Sequence, residues 1–224
     1  MFKILRYCIH MLLIRPFLLG FVGLNLIYRE RLPASGAAIL VANHNSHLDV
    51  PAIISLFPLG LLDKFRPVGA RGYFFRNRVL AWCAIHLFRL IPLNRDRFLP
   101  SDGDPLHECS RALEKNEILI IFPEGTRGIP GQLGPFKPGI SHLARRHPDV
   151  PVIPIFIDGT GKVLPKDAYI PVPFVCDVYI GNAVRWNGDK KMFLQIIRQE
   201  ILNMNNQLPH FATDPNHEIL NQIY

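Results

Sequence analysis

Two short apolar runs, one at residues 37–42 and one at residues 118–122, most constrain the fold of this chain. The second reads Ile118-Leu119-Ile120-Ile121-Phe122 and is the strongest strand signal in the sequence. Runs of this length without a polar break suit strands buried on both faces, the usual state of a parallel sheet. Further strands are expected near residues 66–69, 90–93, 152–157 and 175–180. Helical spacing is expected over residues 50–62, 74–87, 105–115, 140–146 and 190–204, where Phe193, Ile197, Ile201 and Met204 share one face. Residues 128–139 hold seven Gly or Pro among twelve and must form a loop. The alternation predicts an α/β fold: a single domain with a central, mostly parallel sheet flanked by helices, and function at loops beyond strand ends.

Three segments are expected: 1–31 as membrane-associating helices, 32–208 as the main domain and 209–224 as a polar tail. A chain of 224 residues suffices for one well-buried α/β domain. Apolar residues make up 49% and charged residues only 19%, so the chain is greasy for a soluble enzyme yet too polar for a polytopic membrane protein. The formal charge of +7 favours anionic partners. Eight basic residues against one acid fall between Lys64 and Arg97, a solvated basic face or one drawn to an anionic membrane surface. No nucleic-acid-binding module appears, so phospholipid is the expected anion. The four cysteines have no CxxC spacing, and reduced thiols facing a cytosol are expected.

The first 28 residues carry Lys3, Arg6, His10 and Arg15 but no acid. Lys3, Arg6 and His10 share a helical face, and Pro16 should stop or kink that helix and open a second one. The uncharged run from Pro16 to Tyr28 is shorter than the roughly 20 residues a bilayer span needs. Two short helices lying in one leaflet, with basic groups at head-group level, are therefore expected. The rivals are a helix pair buried on the domain and, more weakly, a cleaved signal peptide. The expected location is the cytoplasmic face of a membrane, that of a bacterial inner membrane, as a monotopic or peripheral protein.

The chemistry-bearing residues begin at the end of the first strand, Asn43-His44-Asn45-Ser46-His47-Leu48-Asp49. An imidazole with a carboxylate nearby is half of a general-base device: the carboxylate fixes the tautomer and offsets the charge that forms. The same residues fit a capping box, with Ser46 as N-cap and Asp49 at N3. His47 reads as a surface or loop histidine, and a third histidine for a zinc site is missing. A second cluster follows the strongest strand: Phe122-Pro123-Glu124-Gly125-Thr126-Arg127-Gly128. Gly125 allows close backbone approach to a ligand, and Arg127 offers a planar fork for phosphate oxygens. An ordinary turn with an exposed Glu-Arg pair is the plainer reading.

Together these segments resemble the glycerolipid acyltransferase family, most closely the 1-acyl-glycerol-3-phosphate (lysophosphatidic acid) acyltransferases. Asn43-His44-x4-Asp49 stands as the first family block and Phe122-Pro123-Glu124-Gly125-Thr126-Arg127 as the third. Phe136-Lys137-Pro138-Gly139 follows, then the proline-framed strand Val150-Pro151-Val152-Ile153-Pro154-Ile155. The second block is less regular: Gly-x-x-Phe-x-x-Arg occurs at Gly72, Phe75 and Arg78, whereas context favours Arg95, with Arg71 a further anion contact. The resemblance implies a glycerol-3-phosphate acyltransferase-like fold and an O-acyltransferase without metal or other cofactor. The donor would be an acyl thioester of coenzyme A or acyl carrier protein, and the acceptor a lysophospholipid, first of all 1-acyl-glycerol-3-phosphate. His44 would deprotonate the acceptor hydroxyl and Asp49 would hold His44. Arg95 and Arg127 would hold the acceptor phosphate, with Arg71, Gly125, Thr126 and Lys137 lining the site. Glu124 would position the glycerol or an arginine. Backbone N–H groups at the helix start after His44 would meet the oxyanion. The alternatives are another lysolipid acceptor, a thioesterase or other hydrolase, and a non-catalytic lipid-binding protein.

Overall fold

The computed structural model describes residues 2–94, 103–128, 132–164 and 170–206. Seven strands form one sheet: β1 (Leu24–Ile27), β2 (Ala38–Ala42), β3 (Phe65–Ala70), β4 (Ile91–Leu93), β5 (Ile118–Ile121), β6 (Val152–Asp158) and β7 (Cys176–Ile180). Their order is β1-β7-β6-β2-β5-β3-β4. Every neighbouring pair is parallel except β6 and β7. The expected α/β class and mostly parallel sheet are therefore present, with β2 and β5 adjacent at the centre.

Both faces of the sheet are covered, as unbroken apolar strands require. Along β2, Ile39 and Val41 face a core completed by Leu143, Phe193, Ile197 and Ile201. Those partners come from α6 (Gly139–Arg146) and α8 (Lys190–Asn206), beside Cys109 and Leu113 of α5 (His107–Glu114), while α1 (Phe2–Ile9) opens the chain. Ala38, Leu40 and Ala42 face the other core, with Ile53 and Ile54 of α2 (Asp49–Ser55). Two expected helices are shorter than the periodicity suggested. The first, expected to end near Pro58-Leu59-Gly60, stops at Ser55, and a 3-10 turn, Leu59–Lys64, follows Pro58. The segment 74–87 divides into α3 (Arg71–Phe74) and α4 (Arg78–His86), because the Asn77 side chain caps a fresh helix start by accepting from the Val79 and Leu80 N–H groups.

The N-terminal segment departs most from expectation. Phe2–Val22 is one helical run of 21 residues, long and apolar enough by length and composition to cross a membrane. Pro16 does not stop it, because π-helical turns at His10–Ile14 and Phe17–Val22 absorb the missing N–H and the ring clash. The run ends at Gly23, whose φ of +74° leads into β1 rather than more helix. Much of its basic face turns to the domain, although Lys3 stays exposed. Arg6 and His10 are buried against the domain, and Arg6 and Lys3 both pair with Asp63, at 2.7 and 3.2 Å. The apolar face points outward, with Ile4 73%, Leu12 68% and Leu13 64% exposed. This is the reverse of a helix packed on a domain in water.

Candidate active site

At the carboxyl end of β2 the Asn43 amide replaces the sheet ladder. Its Nδ2 donates to the Ile157 carbonyl at 2.9 Å and its Oδ1 accepts from the Ile157 N–H at 2.8 Å. The chain is thereby held to β6 for one more residue, and His44 leaves the sheet in a defined direction. The His44 ring stacks on Phe122 with centroids 4.1 Å apart, so the ends of β2 and β5 converge on it.

Asp49 lies fully buried beneath His44. Its Oδ2 is 2.8 Å from His44 Nδ1 and also accepts the Asn45 and Ser46 N–H groups, at 2.7 and 2.9 Å. Its Oδ1 accepts the Thr160 hydroxyl at 2.6 Å. An ionised carboxylate offers only acceptors, so Nδ1 carries the proton it donates to Asp49 and Nε2 keeps its lone pair. The base-like contact is present, whereas the expected capping box is not, since the N-cap of α2 is Leu48 and carries no side-chain cap. Asp49 still bonds the Ser46 N–H, although α2 begins at Asp49 itself, and the same carboxylate orients the imidazole.

Glu124 sits where the sequence reading placed a substrate contact, but it is buried and bonded to backbone. Oε1 accepts the His44 N–H at 3.2 Å and Oε2 accepts the Gly134 N–H at 2.8 Å. The Gly128 N–H donates to the His44 carbonyl at 2.8 Å. Glu124 thus ties the His44 loop to the Gly/Pro-rich loop, and no arginine pairs with it among the described residues.

Gly125 has φ +75°, and Lys137 lies over it so closely that a Cβ there would meet Lys137 Cε at 2.8 Å. Thr126 is exposed and Arg127 half-buried. The Arg127 guanidinium is 6.0 Å from the Tyr73 ring, which Arg76 also covers at 4.4 Å, and the Tyr73 hydroxyl is 2.8 Å from His47 Nε2. His47 is therefore exposed, as expected, yet part of a cationic group. Desolvation of its ring, then the charges of Arg127 and His44, hold its pKa below the ordinary histidine range. Arg71 is exposed at the start of α3, with its guanidinium 5.0 Å from the Phe75 ring, and Arg78 is exposed at the start of α4. Arg95 lies outside the described residues.

The sequence reading missed Thr160, Tyr73 and Arg76. Thr160 lies 111 residues from Asp49, beyond any local pattern. The aromatic-basic stretch Tyr73-Phe74-Phe75-Arg76 was a usable signal for the other two. The turn that was expected to supply oxyanion donors uses several of its own N–H groups. The N–H groups of Asn45, Ser46, Leu48 and Asp49 are all bonded within the protein, because the tight turn into α2 uses them for its own closure.

Residues 24–158, more than half of the chain, match the family model described as Acyltransferase. The chain belongs to the acyltransferase family. Within that family it resembles the chloroplastic 1-acyl-sn-glycerol-3-phosphate acyltransferase BAT2 of Brassica napus, 38% identical over 61% of this chain and 37% of the relative. It is 35% identical to LPAT1, the chloroplastic enzyme of that name from Arabidopsis thaliana, over 65% of this chain and 38% of the relative. The chain thus spans well under half the length of these curated relatives. In three dimensions it resembles the 1-acyl-sn-glycerophosphate acyltransferase PlsC of Thermotoga maritima, with TM-score 0.67 and 22% identity over 90% of this chain and 79% of that one. This last likeness concerns the fold.

Two predictions test how this acyltransferase-family site is held. Gly159 has φ +91°, and a Cβ there would stand 2.7 Å from the Val175 carbonyl oxygen, a backbone atom that cannot turn aside. Gly159→Ala should cost about 1–3 kcal/mol in denaturant titration and displace Thr160 from Asp49. The thiols provide the second test. Burial pushes Cys109 and Cys176 up to about 12. Neither is a thiolate nucleophile at neutral pH, and alkylation followed by mass spectrometry should mark the exposed Cys8 first with no loss of activity. An unfolded chain releases these protons near 9.0, before the folded one does, so the two thiols should lower stability as pH rises past that value.

Proposed function

We propose that this protein transfers a fatty acyl group from a thioester of coenzyme A or acyl carrier protein to the free hydroxyl of a lysophospholipid, 1-acyl-glycerol-3-phosphate in the first place, giving phosphatidic acid. The observation that carries the reading is the 2.8 Å contact between His44 Nδ1 and the buried Asp49, which leaves Nε2 as the base at the end of β2. Nε2 takes the hydroxyl proton while the acceptor oxygen bonds to the thioester carbonyl carbon. The tetrahedral intermediate then expels the thiolate, which leaves with the proton held on His44. Asp49 offsets the imidazolium charge between the two steps. Arg127, with Arg76 across the Tyr73 ring, supplies the positive charge an acceptor phosphate needs. Arg95 and Arg71 are proposed further anion contacts. Gly125, Thr126 and Lys137 are proposed to line the same mouth, and Glu124 to position the two loops rather than the substrate. The names carried by the plant relatives support this choice of acceptor.

The outward apolar face of the N-terminal helix supports a seat on a membrane, where the lysolipid tail can stay in hydrocarbon. Extracting it would cost about 0.8 kcal/mol per exposed CH₂. An open apolar groove of about 480 Å³, lined by Leu12, Ile14, Leu18, Leu48, Pro51 and Phe88, adjoins Asp49 through Leu48 and suits an acyl chain. The test offers purified protein a panel of lysolipids with both donor types, with His44→Ala beside it, and identifies products by mass spectrometry. Phosphatidic acid formed from lysophosphatidic acid is the expected product. Thiol release that ignores every acceptor would overturn acyl transfer, and a product only from another lysolipid would overturn the acceptor.

A further inference from the structure

The exposed apolar surface does not end with the N-terminal helix. At the amino end of that helix, Phe2 packs edge-on against Trp82, with centroids 5.7 Å apart, and stacks on His86 at 4.2 Å. Both partners belong to α4, whose Val79, Trp82 and Ile85 remain 71, 39 and 38% exposed. At the carboxyl end, Gly23 accepts a hydrogen bond from the Cys176 N–H at 2.9 Å, and Val175 packs against Gly23. The segment leading there, Ile170-Pro171-Val172-Pro173-Phe174-Val175, has no charged residue, and Ile170, Val172 and Val175 are 80, 56 and 57% exposed. Its two prolines keep it from joining the sheet, and the Val172 N–H bond to the Val163 carbonyl pins it beside α7 (Thr160–Val163).

Burying each Å² of such surface is worth about 25 cal/mol, so side chains this exposed need a partner other than water. The charges beside them indicate which one. No Asp or Glu occurs between Lys64 and Asn94, and Arg76 and Arg78 flank the start of α4. At the other end the Lys162 ammonium lies 4.7 Å from the Phe174 ring. Apolar side chains bordered by cations, with an indole between them, match the boundary between acyl chains and anionic head groups.

We infer that the bilayer contact of this protein is a band of three segments, the N-terminal helix in the middle with α4 and residues 170–175 at its two ends, docked on a leaflet containing anionic lipid. The inference rests on the proposed membrane seat of the helix, and it extends that contact to two elements of the catalytic domain. The three segments fix how the domain sits on the leaflet, because a helix alone would let it swing about one line.

The test is flotation of the full-length protein with vesicles of phosphatidylcholine, alone or mixed with phosphatidylglycerol. Val79→Asp and Val172→Asp should each weaken partitioning about tenfold or more, since a carboxylate replaces an apolar contact in the interface. Met192→Asp, an equally exposed site on α8 across the sheet, should not weaken it. Lys162→Gln should lessen the gain from phosphatidylglycerol. All four should acylate a detergent-dispersed acceptor like the parent, so a failed acyl-transfer reading would show in the activity assay and leave the flotation result intact. Parent-like flotation of both aspartate variants would overturn the band. So would a parent dimer in solution that Val79→Asp dissociates, because a second copy would then cover α4.

Discussion

Asp49→Asn should lower acyl transfer by about three to four orders of magnitude, the scale seen when the carboxylate behind a catalytic histidine becomes an amide. The cause is geometric. Oδ2 accepts from His44 Nδ1 and two backbone N–H groups at once. An amide can keep an acceptor toward one set of partners only by pointing its NH₂ at the other. Either the His44 tautomer flips, placing a proton on Nε2 where a lone pair is needed, or the turn into α2 loses its closure. Stability should fall as well, by about 2–4 kcal/mol, because buried donors are left unmade. His44→Ala separates the two effects: Asp49 keeps its three other donors, so activity should vanish while the melting temperature falls less than in Asp49→Asn. Saturating kcat beside thermal denaturation checks both. An Asp49→Asn protein that keeps its kcat would remove the couple from the mechanism.

Glu124→Gln should melt lower by several degrees and lose kcat together. A loss of about 1–3 kcal/mol is expected when a buried carboxylate accepting two backbone N–H groups becomes an amide that can accept only one, and a kilocalorie is worth about 2–4 °C in a chain of this size. The His44 loop and the Gly134 loop would part, and the base would lose its fixed position. This outcome differs from that of a substrate contact, which would raise KM for the acceptor and leave the melting temperature where it was. Differential scanning calorimetry beside initial rates decides between them.

The strands were legible in the sequence because β2 and β5 are buried on both faces, and burial on both faces leaves an apolar run. His44 and Asp49 were legible because both lie on one short turn, where spacing alone limits their separation. Helix limits were less so: Asn77 restarts a helix within a continuous apolar pattern, and Pro16 fails to stop one. Periodicity does not register a cap or a π turn. The face of the N-terminal helix was also misread. Lys3 and Arg6 share a face in any helix, but only the position of Asp63 draws Arg6 inward while Lys3 stays exposed.

Local order in the chain was enough to mark the strands, the imidazole–carboxylate pair and the family's blocks, since each is a run of residues a few positions apart. What Glu124 does, that Thr160 closes the hydrogen bonding of Asp49, and that Tyr73 gathers His47, Arg76 and Arg127 were decided by the packing of distant strands. Hydrogen bonds between residues 80 or 111 positions apart exist only once the sheet has brought their strand ends together. A one-dimensional pattern holds no record of which ends will meet.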